Sequence, residues 1–527
     1  MANNLTPVIH IEQGLIRGQI VDNLKDGEYW VFQGIPYAEP PLRELRFKDP
    51  VLPKCWTGIF KANVQHECCV CHDFFDSKEI IGTEDCLYLD IHTPKDVINI
   101  ANQDHLKPVI VLITGVFTSK SIYNYETFLK NDVIFVNIHY RTGILGFLSF
   151  EDDNLQISGN AGLKDITMAL NWINVNISKF GGDRNNVTVL GIGLGASYAH
   201  LISMTPKGKN LFNKLILISG SAILPWTSYK KRTDLIAEKL DCNCNEEYNM
   251  YKKLQSLTSR QLIETFSDVE NLYSVPVIEK KYLQNAIITE DPTFLLTEGK
   301  YQHLPIMIGY GSNEALLLEK FQTEITPDTN NYELFVTPEF NVKRGTRLCK
   351  EIGKEIKQFY YGESLPSKSD LETYHRLITD IFVFRGIDST VKIIKKKSRK
   401  SLFLFQFSTN GRWNLYKNLK NISHNGACYP DLIGYLFKYP EHPIVENDSM
   451  EERIHSQLVT MFCNFVKTKD PKAIEDDSLP IKWYPVTKKD YNYIEISDNL
   501  LLKTNPGKKT CDFWDDLNTY VKSRSFK

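Results

Sequence analysis

Short runs of apolar residues that recur along the chain constrain its fold most strongly. Residues are apolar at consecutive positions in these runs, so both faces must be covered, which is typical of central strands in a largely parallel sheet. Helix-like segments separate the runs, as in residues 161–179, where Ile166, Ala169 and Ile173 share one side. This alternation predicts an α/β architecture. The runs are 109–113, 133–138, 187–190, 215–218, 305–308 and 402–407.

The domain organisation follows from length and composition. The chain has 527 residues, 42% of them hydrophobic, which is enough apolar material for a large core. No linker rich in glycine, serine or proline and no internal repeat interrupts it. We therefore expect residues 1–527 to form a single domain, with mainly helical insertions near residues 222–297 and 324–400.

The charge balance bears on possible partners. The chain carries 62 lysines and arginines against 64 aspartates and glutamates, a net charge of −2. This balance gives no electrostatic reason to expect nucleic acid or an anionic membrane as a partner. The basic run at residues 395–400 precedes an apolar segment, and we interpret it as the solvated end of a helix.

Cysteine usage and the N-terminal segment predict a cytoplasmic protein. Residues 1–14 lack a basic stretch followed by an apolar block, so no secretory signal is expected. Runs such as 109–113 are too short to cross a bilayer. Eleven cysteines fit a reducing compartment with mostly free thiols. The cluster Cys68-Cys69-Val70-Cys71-His72 lacks a second ligand pair at zinc-like spacing, so neither a metal nor another cofactor is expected.

A glycine-rich turn in VTVLGIGLGASYAH (residues 187–200) lies between a predicted strand and a predicted helix. Such a turn either cradles a phosphate or carries a nucleophile. Gly191, Gly193 and Ala196 match the dinucleotide pattern GxGxx(G/A). The following strand, which begins at Lys214, offers neither the acidic residue that binds a ribose nor an arginine for a 2′-phosphate. Dinucleotide binding is therefore an unlikely alternative.

The second interpretation is a nucleophile elbow, GxSxG, whose central position is Gly193. Several blocks around it support this interpretation. FQGIPYAEPPLRELRFKDP, EDCLYLDIHTP, NIHYRTGILGFLS, GNAGLKDITMALNWI, FGGDRNNVTVLG and LISGSAILPW occur in order. With them the chain resembles the type-B carboxylesterases, the cholinesterase-like branch of the α/β-hydrolases. FSTNGRWNLYKNL is similar to insect intracellular carboxylesterases.

This resemblance implies a serine, histidine and carboxylate triad, but two of its positions differ here. Gly193 stands in place of the nucleophilic serine of GESAG, and Tyr429 stands where the histidine base belongs. Glu314 occupies the position of the catalytic acid. A phenol with a reference pKa of ~10 is a poor proton acceptor at neutral pH. The resemblance therefore predicts a chain without nucleophile or base.

The oxyanion-hole positions implied by the resemblance are Gly115, Val116 and Leu194. The loop after the strand reads Thr114-Gly115-Val116-Phe117, one residue shorter than the family's HGGG pattern. Valine also replaces a glycine that permits close approach to a substrate. We expect this loop not to present two donors in the usual geometry.

Four other side chains near these positions carry a hydroxyl or thiol that is a candidate replacement nucleophile. Ser197, Ser219, Ser221 and Cys428 are each expected to pack rather than react, because no activating base or cation can be placed beside them. Buried Glu314 needs a donor, and we predict that the Tyr429 hydroxyl or a water supplies it.

Two structural pairs follow from the resemblance. Glu84 and Arg141 match a salt bridge of the family, which we expect to hold the EDCLYLDIHTP loop beneath the sheet. Cys86 matches a disulfide position, with Cys68 or Cys69 as its partner, although a reducing compartment would disfavour that bond.

The leading functional hypothesis is a catalytically silent esterase-like protein that binds an apolar ester-like ligand or a protein partner. One alternative is an active ester hydrolase that uses a nucleophile foreign to the family. The other is the dinucleotide binder. Glycine adopts the strained elbow conformation without steric penalty, so we expect the loss of serine at position 193 to keep or raise stability.

Overall fold

The computed structural model describes residues 5–23, 27–94, 106–119, 122–225, 233–242, 246–267, 275–318, 325–337, 340–439, 441–472 and 479–525. Its strands are β1 (Ile9–Ile11), β2 (Gly14–Arg17), β3 (Gln19–Asn23), β4 (Gly27–Pro36), β5 (Ile59–Lys61), β6 (Cys71–His72), β7 (Ile80–Ile81), β8 (Tyr88–Pro94), β9 (Lys107–Thr114), β10 (Ile134–Ile138), β11 (Gly182–Ile192), β12 (Lys214–Ile218), β13 (Ile306–Gly311), β14 (Leu402–Phe407), β15 (Asn492–Ile496) and β16 (Leu500–Thr504).

The helices lie between and beyond these strands. They are α1 (Glu126–Lys130), α2 (Gly143–Phe147), α3 (Ala161–Asn176), α4 (Leu194–Ser203), α5 (Thr233–Leu240), α6 (Glu247–Ser256), α7 (Ser259–Thr265), α8 (Pro292–Glu298), α9 (Ala315–Leu318), α10 (Arg347–Tyr361), α11 (Leu371–Thr379), α12 (Arg385–Lys397), α13 (Leu415–Lys420), α14 (Tyr429–Phe437), α15 (Met450–Thr468) and α16 (Lys508–Ser525). A π-helical turn, Asp380–Phe384, joins α11 to α12.

The central sheet has eleven strands among the described residues, in the order β16-β15-β14-β13-β12-β11-β9-β10-β8-β4-β3. Neighbouring strands from β10 to β15 are parallel, and antiparallel pairs extend the sheet at both edges. All six predicted apolar runs lie in consecutive parallel strands of this sheet. The predicted α/β architecture is therefore confirmed.

The core lies on both faces of the sheet because its central strands are apolar throughout. Val109 and Val111 of β9 belong to the core that includes α3, whereas Ile110 and Leu112 belong to the core that includes α15. Alternate residues of a strand point to opposite faces, which accounts for this division. The predicted helix over residues 161–179 is α3, which continues as a 3₁₀ turn, Ile177–Phe180.

The described parts of the two long stretches between sheet strands are largely helical. Helices α5 to α8 lie mainly within residues 222–297, and α10 to α12 lie within residues 324–400. The basic run at 395–400 begins in the last turn of α12, as predicted for a helix end, where cations interact favourably with the helix dipole. In the part of the chain that the structure describes, no helix combines the length and apolar character that crossing a membrane requires.

The predicted Glu84–Arg141 salt bridge is wrong. Glu84 pairs with Arg46, whose Nε donates to a carboxylate oxygen at 2.6 Å. Arg141 instead forms a bidentate pair with Asp165 of α3, with nitrogen–oxygen distances of 2.8 and 2.7 Å. Arg141 and Asp165 are both buried, and a buried guanidinium is best satisfied by a planar carboxylate that accepts two bonds. Arg141 is thus paired with Asp165, and Arg46 is the arginine that pairs with Glu84.

The disulfide partner left open by the sequence is Cys69, which is bonded to Cys86 with a Cα–Cα distance of 4.9 Å. Cys69 also forms an isolated β-bridge with Thr83. Because successive side chains of extended backbone point to opposite sides, Cys68 faces away when Cys69 faces Cys86.

Candidate functional site

The turn between β11 and α4 has the backbone geometry of a strained elbow. Gly193 lies between the last residue of β11 and the first of α4, with φ 58° and ψ −122°. This left-handed φ favours glycine, because a Cβ atom would be strained there. The Gly193 N–H donates to Ile218 O at 2.8 Å, and its carbonyl accepts from the Ala196 N–H at 3.1 Å. The first hydrogen bond holds the bend against β12, and the second closes the first turn of α4.

The ring of Tyr429 fills the space beside the bend. A Cβ atom built on Gly193 would lie 2.9 Å from both Cζ and Oη of Tyr429, closer than real Cβ contacts. Tyr429 is the first residue of α14 and packs near Phe74, with ring centroids 6.2 Å apart. Burial, with the nearby Glu314 carboxyl, raises the pKa of Tyr429 well above its ordinary value. Positions 193 and 429 therefore lie side by side, as the resemblance implies. Position 193 has no side chain, and the side chain at position 429 is a neutral phenol.

Glu314 follows β13 and is buried, with 1% of its surface exposed. Its Oε1 accepts from the Ser219 hydroxyl and from the Gly311 N–H at 2.6 Å. Its Oε2 accepts from the backbone N–H of Tyr429 at 3.1 Å. Burial raises the pKa of Glu314 to about 7, although these hydrogen bonds oppose the shift. The carboxyl group is thus well supplied with donors.

The Tyr429 hydroxyl, one of the two donors predicted for Glu314, is therefore wrong, and the alternative of a water stays a prediction. Tyr429 does donate to Glu314, but through its backbone N–H rather than its hydroxyl. The phenol extends toward Gly193, where the missing side chain leaves room for it. Ser219, which the sequence assigned to structure alone, supplies the hydroxyl donor.

The predicted oxyanion positions are close together, but two of their N–H groups are already engaged. The Gly115 N–H donates to Ile192 O at 3.2 Å, and the Val116 N–H donates to the Thr114 hydroxyl oxygen at 2.9 Å. A Cβ atom built on Gly115 would lie 3.2 Å from the Cβ of Leu194, so the loop packs directly on the start of α4. Two of the three predicted positions thus use their N–H groups within the protein.

The same close packing bears on dinucleotide binding. A pyrophosphate would need the space in front of the α4 N-terminus. The loop at Gly115 covers one side of that space, and the Tyr429 ring covers the bend. The glycines of the turn thus permit close packing and a strained bend.

The other nucleophile candidates are buried and held by packing or hydrogen bonds. Ser197 is fully buried, and its hydroxyl has no partner among the described residues. The Ser221 hydroxyl contacts the Thr390 hydroxyl at 2.6 Å. The Cys428 thiol contacts Asp431 at 3.4 Å, and burial raises its pKa well above the ordinary value, so the thiol stays protonated.

His200 is a buried residue that the sequence analysis missed. Its Nδ1 accepts from the Ala222 N–H at 3.2 Å, which places the ring beside Ser221. Burial lowers the pKa of His200 to about 4, so the ring is neutral at pH 7. The three-residue spacing from Ser197 on α4 was a signal that both face the sheet.

A cavity of about 880 Å³ lies next to the loop that contains Gly115. Its lining includes Val116, Phe117 and Tyr123 as well as Asp90 and His139. Burial raises the pKa of Asp90 to about 6 and lowers that of His139 to about 4. The cavity therefore offers aromatic, aliphatic and polar walls. A second cavity of about 530 Å³ borders the loops that follow β13 and precede α14.

Comparison with known proteins gives concordant results. The profile described as "Carboxylesterase family" matches residues 5–514. Esterase FE4 of Myzus persicae is 28% identical over 92% of this chain and 87% of that protein. Juvenile hormone esterase of Heliothis virescens is 25% identical over 91% and 88%. The crystal structure of juvenile hormone esterase from Manduca sexta, with OTFP covalently attached, has a TM-score of 0.84 and 23% identity, covering 97% of this chain and 99% of that one, and so shares the fold.

Proposed function

Because this chain belongs to the carboxylesterase family and has its α/β-hydrolase fold, we propose that it is a catalytically silent member that binds an ester-like ligand without hydrolysing it. The observation that carries the proposal is the position of the Tyr429 ring. It lies 2.9 Å from where the Cβ of a serine at position 193 would be. The position of the nucleophile is thus occupied by a group that is neither nucleophile nor base.

The size of the expected loss in catalytic turnover supports a complete absence of ester hydrolysis. In triad enzymes, removal of the serine or the histidine alone costs ~10⁶ in turnover, and a residual ~10³–10⁴ over water comes from the oxyanion hole and binding. Here the Gly115 and Val116 N–H groups already have acceptors within the protein. We therefore expect that the residual acceleration is lost as well.

An active hydrolase with a different nucleophile is the competing hypothesis. The contact between Ser219 and Glu314 is the one that most resembles a nucleophile beside a base, since the Glu314 pKa is about 7. Ser219 is only 1% exposed, so a substrate carbonyl would have no access to its hydroxyl. This burial favours a structural role for the pair.

The cavity beside the loop is our choice for the ligand site. Val116, Phe117 and Tyr123 suit an apolar portion of a ligand, and Asp90 and His139 in the same lining suit a polar one. This narrows the apolar ligand expected from the sequence to an amphipathic one. Binding of a protein partner and a cytoplasmic location stay predictions. Eight described cysteines are free thiols, which supports a cytoplasmic location, whereas the Cys69–Cys86 disulfide argues against it.

The catalytic half of the proposal is tested with a short naphthyl or nitrophenyl ester. We expect no turnover from the parent chain and no stoichiometric labelling by a fluorophosphonate probe. The Gly193→Ser/Tyr429→His variant should gain little activity, because the Gly115 and Val116 donors remain engaged. Stoichiometric labelling of the parent, or a covalent adduct that forms and clears with substrate, would refute silence.

The binding half is tested by thermal stabilisation with a non-hydrolysable ester analogue. Gln65 is exposed and lines the cavity, whereas its neighbour Val64 is 60% exposed and does not line it. We expect Gln65→Trp to reduce the stabilisation and the matched Val64→Trp to leave it unchanged. Equal stabilisation in both variants would place the ligand elsewhere.

A further inference from the structure

The sequence Cys68-Cys69-Val70-Cys71 places a second pair of thiols next to the disulfide. Cys69 is bonded to Cys86, which leaves Cys68 and Cys71 in C-x-x-C spacing. In the described part of the chain, no group of three or more histidine, cysteine, aspartate or glutamate side chains is arranged to hold a metal ion.

The two thiols differ in access. Cys68 is partly exposed and lines the 880 Å³ cavity, whereas Cys71 is only 5% exposed. Their side chains form a hydrogen bond to each other, which lowers the pKa of Cys68 below its ordinary value despite burial and the nearby Glu67 and Asp73 carboxylates. By contrast, burial raises the pKa of the Cys463 thiol to about 12. Cys68 is thus the more reactive type of thiol, a more acidic one with access to a cavity.

The backbone holds the pair together. The Thr83 N–H donates to Cys68 O at 3.0 Å, and the Val70 N–H donates to Thr83 O at 3.0 Å. Cys71 pairs with Ile81 across the β6–β7 ribbon. The same short segment therefore fixes the chain on both sides of the two thiols, which keeps them within reach of each other.

We propose that Cys68 and Cys71 form a thiol–disulfide exchange site for a low-molecular-weight disulfide that enters the cavity. The Cys68 thiolate attacks one sulfur of the disulfide RSSR, forms a Cys68–SR bond and releases RS⁻. Cys71 then loses its proton, attacks the Cys68 sulfur and releases the second RS⁻. The protein dithiol is oxidised to a Cys68–Cys71 disulfide, and RSSR is reduced to two RSH.

The experiment uses the full chain with oxidised glutathione, followed by alkylation of remaining thiols and peptide mass spectrometry without reduction. The wild type is expected to yield a Cys68–Cys71 disulfide and no retained glutathione at either position. Cys71→Ser is expected to retain glutathione on Cys68 in nearly all molecules, because the second step is lost. Cys55→Ser, which removes an exposed thiol, is the matched control and should behave as the wild type.

Three results would overturn the proposal. In the first, the wild type retains glutathione on Cys68 and forms no Cys68–Cys71 disulfide. In the second, Cys68 stays unmodified while the exposed Cys55 reacts. In the third, Cys86 is recovered bonded to Cys68 or Cys71, which would mean that the existing disulfide rearranges instead. The wild-type measurement decides between these results even if a variant does not fold.

Discussion

The bend at Gly193 and the carboxyl group of Glu314 both follow the carboxyl ends of parallel strands, β11 and β13, but they are stabilised in different ways. At the bend, the side chain is absent and the Tyr429 ring fills the space. At Glu314, a buried carboxyl group is present, and a hydroxyl and two backbone N–H groups donate to it. One region is satisfied by packing and the other by hydrogen bonds.

The two sites differ in what a change of side chain costs. Replacing a serine by glycine leaves a small volume and relieves backbone strain, and a neighbouring ring can occupy that volume. A buried carboxyl group instead needs donors whether or not it has a catalytic partner, because an unsatisfied polar group costs about 1–3 kcal/mol. The bend therefore depends on packing, whereas the Glu314 carboxyl group depends on its hydrogen-bond donors.

The largest effect is expected from adding a side chain at the bend. Gly193→Ala should lower the free energy of unfolding by roughly 3–5 kcal/mol, through left-handed strain and overlap with Tyr429. Gly345 also has a positive φ, of 84°, but a Cβ there meets nothing within 4 Å. Gly345→Ala should therefore cost only the strain, about 1–2 kcal/mol. Denaturant unfolding measures both.

The overlap is isolated by changing the ring. In a Tyr429→Ala background, the cost of Gly193→Ala should fall to about 1–2 kcal/mol, because only strain remains. An equal cost of Gly193→Ala in both backgrounds would contradict this prediction, because the ring would then not occupy the space beside the bend.

The next effect concerns the charge of Glu314. Its pKa is about 7 in the folded protein, above its ordinary value, so the folded state binds more protons than the unfolded state between about pH 4.5 and 7. Stability should therefore fall as pH rises through that window, by roughly 3 kcal/mol relative to Glu314→Gln. Unfolding curves at pH 5 and 8 test this. Parallel pH profiles for the wild type and the variant would contradict it.

The smallest effect tests one donor of the polar region. Ser219→Ala removes a hydrogen bond to Glu314 and should cost about 1–2 kcal/mol at pH 8, and less at pH 5, where the carboxyl group is protonated. Ser221→Ala is the matched control, because the Ser221 hydroxyl contacts Thr390 instead. Its cost should not depend on pH. Equal pH dependence in both variants would show that Ser219 does not act through Glu314.

Much of the fold was predictable because it depends on local patterns. The six apolar runs predicted central strands, and each is found in the parallel part of the sheet. The positions of Gly193, Glu314 and Tyr429 followed from motif order. The partner of Glu84 and the role of the Tyr429 hydroxyl were not predictable, because each depends on which of several competing groups packs closest.

The absence of a hydroxyl at position 193, and the strand, bend and helix around it, can be read from the printed residues, because apolar periodicity and glycine conformation are properties of the local chain. Other pairings depend on the folded arrangement. Arg46 pairs with Glu84, and Cys69 pairs with Cys86. The Tyr429 N–H donates to Glu314, while its ring packs beside Gly193. These choices depend on distances between segments far apart in the chain, where volume and hydrogen-bond geometry select one partner among several of the right chemical type.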